Sequence, residues 1–513
     1  MHKPPLIIGL PVILILSSLV VFWSLSDSPP SIPITTESTQ ARQYFIKGRD
    51  LADRLREPEA CDYFEKAVKE DPRFAYAYLY LARLYPNAKT RLAFLARAEE
   101  LADGVSEGER LLIMGSRAFN YRQSETERDL MRCLVEAYPL DPRAHNEFGN
   151  TLYWQKDWAA ATEEYLRAVE IDPSFSQACN GLGYCYRFMG DLVAAERYFV
   201  RYVELLPDDP NPYDSYGDLL SEMGRHEEAI SSYKKAIELR PDFANSYLGM
   251  AWNYCVLEKF SEAIGQLSTL LDASSDDKRR RRALLGMAAV HVESGDLEQA
   301  ASCLQLSCEI AGKSNDQPAL YGDLLSLGLV LLEAGRPEDA SRAFSASLQA
   351  IQDFPGAPRS ELENAQLDHM RSMALVWLTR GDHTKAFDFA RRYLEIANEG
   401  PDPARVKQAH QTLGLVELAS GNLERATEEL SQGDLTEAYT QYHLARAYEA
   451  RSDFSKALEH YRAASVYDQF NPLTQAFVRK RARQGAEALL LAQQAAGGTM
   501  KPLVLPSPAG SRP

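Results

Sequence analysis

The chain of 513 residues has no excess of positive charge: 56 Lys and Arg stand against 72 Asp and Glu, a formal net charge of −16. A nucleic-acid binder normally shows a basic face, so nucleic acid is set aside as a partner, and binding at the surface of anionic lipid is disfavoured by the same balance. Cysteine is scarce. The seven residues form no C-x-x-C pair, which excludes a zinc ribbon and a thioredoxin-type motif. Their scattered positions do not look like a disulfide framework, and they read as small buried hydrophobes, Cys179 among them. The nine histidines contain no H-E-x-x-H and no Cys/His cluster, so no metal site is expected. There is no G-x-S-x-G elbow. Gly312-Lys313-Ser314 resembles the end of a phosphate-binding loop, but Ser307 stands where that motif needs glycine, and the run follows a helical pattern rather than a strand. No N-x-S/T sequon is present. From these absences no enzyme activity, no cofactor and no small-molecule substrate are expected.

What the chain does contain is periodicity. Pro173, Pro207 and Pro241 stand 34 residues apart. Upstream of each comes the same series: Phe148-Gly149, Leu182-Gly183 and Tyr216-Gly217, then Ala161, Ala195 and Ala229, then Tyr165, Phe199 and Tyr233. Small residues alternating with bulky ones at this pitch mark a helix–turn–helix unit repeated along the chain. Earlier units carry the same offsets at Tyr44, Gly48, Ala60, Phe64 and Pro72, and Ser106 with Glu109 forms a capping-box signature before another. Further on, units phase on Ala300, Ala340, Ala386, Ala426 and Ala457 with starts spaced by 40, 46, 40 and 31 residues. Gly190, Gly224, Gly295, Gly335, Gly381 and Gly421 share one offset, where a first helix would end in a left-handed residue.

On these residues the chain resembles the tetratricopeptide-repeat (TPR) family. The resemblance implies an all-α fold, a right-handed superhelical solenoid of about twelve helix-turn-helix units, preceded by one N-terminal transmembrane helix. Residues 41–275 form a regular block and 276–471 a looser one. Residues 472–494, with Arg479-Lys480-Arg481 and Arg483, are expected to cap the stack, and 495–513, rich in Gly and Pro, to be disordered.

Residues 6–25 are an uncharged run of 20, long enough to span a bilayer. Lys3 in the short segment 1–5 orients the expected single-pass protein with its N-terminus cytoplasmic and its repeats extracytoplasmic. Cleavage as a secretion signal is the lesser alternative, with a poor site at Ser24-Leu25-Ser26. Residues 26–40, rich in Pro, Ser and Thr, read as a flexible tether. The span, the tether and the runs Tyr44-Phe45-Ile46-Lys47-Gly48 and Glu109-Arg110-Leu111-Leu112 also resemble the membrane-tethered TPR regions of bacterial sensor kinases and transcription activators, without their signalling domain.

In the TPR family the first helix of each unit lines a concave groove. Carried onto this sequence, the groove set comprises Asn146, Asn150, Tyr153, Trp154, Asn180, Tyr184, Arg187, Phe188, Asn245 and Trp252. Amides pair with peptide backbone and aromatics give apolar contact with a polar handle, so the resemblance implies a scaffold for protein partners or extended peptide segments. A glycan or lipid-linked saccharide is the alternative ligand. A clamp for a C-terminal carboxylate is disfavoured, since Asn211 and Ser215 stand where cations are needed and Asp214 and Asp218 add negative charge that would repel it. The basic run at 278–282 (KRRRR) reads as a solvated helix start beside Asp276 and Asp277.

Overall fold

A computed structural model describes residues 31–495 except 55, 86–87, 275, 356, 401 and 466–471. Among the described residues there are 25 α-helices, one 3-10 turn at Ala102–Gly104 and no strand, so the fold is all-α. Two compact units divide at Tyr216 and Gly217. In chain order the first carries α1 (Thr39–Asp53), α2 (Glu57–Glu70), α3 (Ala75–Leu84), α4 (Ala88–Leu101), α5 (Glu107–Asn120), α6 (Ser124–Ala137), α7 (Pro142–Trp154), α8 (Trp158–Ile171), α9 (Ser176–Phe188) and α10 (Leu192–Leu205). The division falls within α11 (Pro210–Glu222). The second unit continues with α12 (His226–Leu239), α13 (Ala244–Val256), α14 (Phe260–Ala273), α15 (Asp277–Ser294), α16 (Leu297–Lys313), α17 (Gln317–Glu333), α18 (Pro337–Gln352), α19 (Arg359–Thr379), α20 (His383–Glu399), α21 (Pro403–Ala419), α22 (Leu423–Ser431), α23 (Ala438–Ala450), α24 (Phe454–Ser465) and α25 (Pro472–Ala495). The helices fall in order into twelve pairs and a final helix.

One turn device makes most of these pairs. The first helix ends in a left-handed residue, and the next N–H reaches back to satisfy an orphan carbonyl. At the end of α9, Gly190 has φ 83° and Asp191 donates its N–H to Tyr186 O at 2.9 Å. Asp191 then caps α10, its carboxylate accepting from Ala194 N at 3.0 Å. Asp157, Asp296, Asp382 and Asp453 cap their helices the same way. The expected capping box is present at α5: Glu109 N donates to Ser106 Oγ at 3.3 Å, and Ser106 N donates to Glu109 Oε2 at 3.0 Å.

Packing inside each pair follows from the small–bulky alternation. A bulky side chain on the second helix lies over a small residue 16 positions earlier, as in Gly48 with Phe64, Gly149 with Tyr165, Gly183 with Phe199 and Gly217 with Tyr233. A Cβ at Gly183 would sit 2.6 Å from the Phe199 ring, closer than carbon atoms approach, so the helices can come this near only at glycine. Phe64, Phe199, Tyr233 and Phe344 are completely buried by this arrangement.

Polar contacts tie in the segment before the first pair and link neighbouring pairs. From residues 31–38, Ile32 donates its N–H to Asp141 Oδ2 at 2.7 Å, and Thr35 donates its N–H to Glu109 Oε1 at 2.8 Å. The KRRRR run opens α15: Arg279 pairs with Asp242 at 2.7 Å, and Arg281 donates to both Asp323 oxygens at 2.7 and 2.9 Å. Asp323 also takes the Ser307 hydroxyl at 2.6 Å, so the residue that breaks the phosphate-loop motif holds one repeat to the next.

The expected membrane span, residues 6–25, lies outside the described residues. Among the described residues no helix is long and apolar enough to cross a membrane, which overturns the expectation of a single-pass membrane protein with extracytoplasmic repeats. The physical reason is visible in α17: leucine-rich as it is, it has 17 residues and carries Asp323 and Glu333. A span needs about 20 residues almost free of charge.

Candidate functional site

Within each unit the first helices of successive pairs touch one another, α7 with α9 in the first unit and α13 with α15 in the second. Of the candidate groove residues, four stand on α7, four on α9 and two on α13.

On α7 and α9 the structure brings most of them together. Tyr153 lies edge-on to Trp154 with ring centres 5.3 Å apart, and within 6.0 Å of Phe188. Trp158, opening α8, stacks on Phe188 at 5.2 Å and 17°. The buried Arg187 guanidinium lies 5.8 Å from the Tyr184 ring and 5.9 Å from that of Phe188. Tyr184 turns its hydroxyl to Ser215 Oγ at 3.2 Å. Burial, against a lesser pull from Arg187, pushes the Tyr153 phenol up to about 12, so it stays a neutral donor. The outcome is a contiguous aromatic strip on one cation, ending in Trp154, which is 70% exposed. Trp158 was missed from the sequence because it sits on a second helix, where the groove offsets do not look.

The asparagines divide. Asn150 Oδ1 accepts the Tyr165 hydroxyl at 2.8 Å and is thereby part of the packing. Asn146 and Asn180, one repeat apart, each bury an Oδ1 that has no hydrogen-bond partner in the structure. At the next equivalent position stands Asp214, also buried. A polar network beside them was invisible in the sequence: Arg83 pairs with Glu147 at 2.9 Å, while Asp53 holds Arg143 and Gln177 at 2.9 Å each. These groups come from helices up to 124 residues apart, and nothing local signals the pairing.

In the second unit Asn245 is exposed, whereas Trp252 is only 6% exposed because α25 lies over it, the Arg479 guanidinium 5.6 Å from the indole. Helix α25 packs against α15, α23 and α24. Arg481 pairs with Glu333, Arg483 with Glu258, and Arg479 with Glu293 at 2.8 Å. The final helix thus occupies the face that the first helices present, well beyond a cap on the last pair.

All seven cysteines are free, five of them buried, and burial raises the thiols of Cys179 and Cys185 to about 11 and 12. Among the described residues no three His, Cys, Asp or Glu side chains are grouped to hold a metal.

Paired antiparallel helices stacked along the chain define a helical-repeat protein. Three segments match tetratricopeptide family models: residues 176–209 and 325–401 as tetratricopeptide repeats, and 217–251 as a TPR repeat. The chain is a tetratricopeptide-repeat protein. No curated protein matches it. Among solved structures it is similar to MamA at 20% identity over 32% of this chain and 91% of that one, with a TM-score of 0.29. YrrB, described as a TPR protein with an unusual peptide-binding site, matches at 18% identity over 35% and 91%, TM-score 0.27. BtubC from P. vanneervenii matches at 14% identity over 46% and 91%, TM-score 0.32.

Proposed function

We propose that this protein is a non-enzymatic scaffold that binds an extended protein segment along the first-helix face of its first unit, on α7 and α9. The observation that carries this reading is the pair of Asn146 and Asn180 oxygens, buried one repeat apart with nothing donating to them. An unsatisfied buried acceptor costs about 1–3 kcal/mol, a cost that a partner's backbone N–H groups would remove. The strip from Tyr184 to Trp154 supplies the apolar anchor beside them, of the kind that dominates protein interfaces. Asn150, Tyr153, Arg187 and Phe188 act in this reading as the wall that holds the strip in place.

The test is capture of a peptide library by the full chain, with a saccharide array alongside. Asn146→Ala and Asn180→Ala should leave the melting temperature unchanged or higher while weakening the selected peptide about tenfold each. Trp154→Ala should weaken it without loss of helicity. Peptide binding indifferent to all three substitutions, or selection of saccharides instead, defeats the proposal.

A further inference from the structure

A cavity of about 390 Å³ lies in the second unit, walled by the first helices α17, α19, α21 and α23 and floored by α25. Its size falls in the range of small-molecule sites, about 300–1,000 Å³. Most of the wall is hydrocarbon, with Leu332, Leu375, Leu378, Leu415 and Leu418 joined by Phe477 of α25. Such a surface calls for an aliphatic occupant.

The polar groups on the wall are not balanced in their engagement. Its two carboxylates are taken: Glu333 pairs with Arg481, and Glu437 accepts from Gln411 Nε2 at 3.3 Å. Its two guanidiniums, Arg371 on α19 and Arg446 on α23, form no ion pair among the described residues. His443, one turn before Arg446 on the same wall, is kept neutral by burial and by the Arg446 and Arg481 cations, so the wall near it repels a further positive charge. Planar guanidiniums facing an apolar chamber suit a carboxylate, which they can hold through two parallel hydrogen bonds.

We propose that this cavity binds an amphiphilic carboxylate, a hydrocarbon chain of the fatty-acid type whose head is held by Arg371 and Arg446 and whose tail lies among the leucines. The cavity shares no residue with the proposed peptide face on α7 and α9, so either proposal can fail alone.

Calorimetric titration of the full chain with dodecanoate and with dodecylammonium, both below micelle formation, tests it. One dodecanoate should bind per chain, with dodecylammonium about tenfold weaker or more. The double variant Arg371→Gln/Arg446→Gln should lose about tenfold in dodecanoate affinity, and Arg371→Lys/Arg446→Lys should lose less. The comparison of the two amphiphiles on the unaltered protein stands even where a variant folds poorly. Equal binding of the amine, absence of dodecanoate binding, or unchanged affinity in a folded double-glutamine variant overturns the proposal. Tighter occupation by an apolar peptide with a free C-terminus also overturns it, assigning the cavity to a protein end.

Discussion

Arg479 and Glu293, 186 residues apart in sequence, meet as a buried ion pair, the guanidinium Nε donating to Glu293 Oε1 at 2.8 Å with both side chains almost wholly enclosed. Desolvation is expensive for each charge, and the pair persists because each is the other's main compensation. Burial raises the Glu293 carboxyl above its ordinary value of 4.5, and Arg479 pulls it back down. Arg479→Ala should therefore destabilise the second unit by about 3–5 kcal/mol, since it strands a buried carboxylate. Arg479→Met with Glu293→Leu should cost much less.

The same variant carries a pH signature. Without Arg479 the Glu293 pKa rises further, so the folded protein holds a proton that the unfolded chain releases from about pH 4.5 upward. That contribution is fully present below the unfolded value and is lost as pH rises through the folded one. The deficit of Arg479→Ala relative to the unaltered protein should accordingly be larger at pH 7 than at pH 5 in urea unfolding. An equal deficit at both would mean that Glu293 is not the group left stranded.

The hairpin turns offer a substitution in each direction. Lys156, at the end of α7, has φ 63° at the position that glycine takes in Gly190 with φ 83°. A side chain in that conformation is strained by about 1–2 kcal/mol relative to glycine. Lys156→Gly should raise stability by about 0.5–1 kcal/mol, and Gly190→Ala should lower it by about 1–2 kcal/mol. Thermal unfolding of the two variants checks both signs.

These turns show how far the sequence could be read. Six of them announced themselves because glycine occupies the left-handed position, but Arg122, Lys156, Glu258 and Ser452 adopt the same conformation and carry no such mark. Glycine lowers the cost of that backbone, and the fold imposes it whether or not glycine is there. The repeat register was legible to the same degree. It located Asn146, Tyr153, Trp154 and Phe188 on adjoining first helices, yet gave no warning that α25 would lie over Trp252. That contact depends on where the chain returns after more than two hundred residues, and periodicity within a repeat is silent about it. The expected span at residues 6–25 lies outside the described residues, and none of the described helices is long and apolar enough to cross a membrane.

Close approach of paired helices makes a further prediction. Any side chain at Gly183 must enter the space of the Phe199 ring, which is fully buried and cannot swing out. Gly183→Val should cost about 1–3 kcal/mol through overpacking. Gly183→Val combined with Phe199→Leu should recover part of the loss. A single variant with unchanged melting would show that the pair tolerates a wider separation than the structure has.

Acid sensitivity should trace to His443. Burial first, then the cations of Arg446 and Arg481, hold its imidazole down to about 3 from an ordinary 6.5, while the Tyr439 and Tyr442 rings pack against it. A histidine depressed in the folded state contributes stability that is complete above its unfolded pKa and drains as pH falls, because the unfolded chain takes up a proton that the folded one refuses. The window therefore runs from about 6.5 down to about 3. His443→Gln removes the proton acceptor and keeps a polar side chain of similar reach. Urea midpoints measured at pH 7.5 and pH 5 should fall for the unaltered protein by more than for His443→Gln. If the two fall in parallel, the second unit's response to acid lies in other groups, with the half-buried His460, whose pKa burial also lowers, as the next to replace.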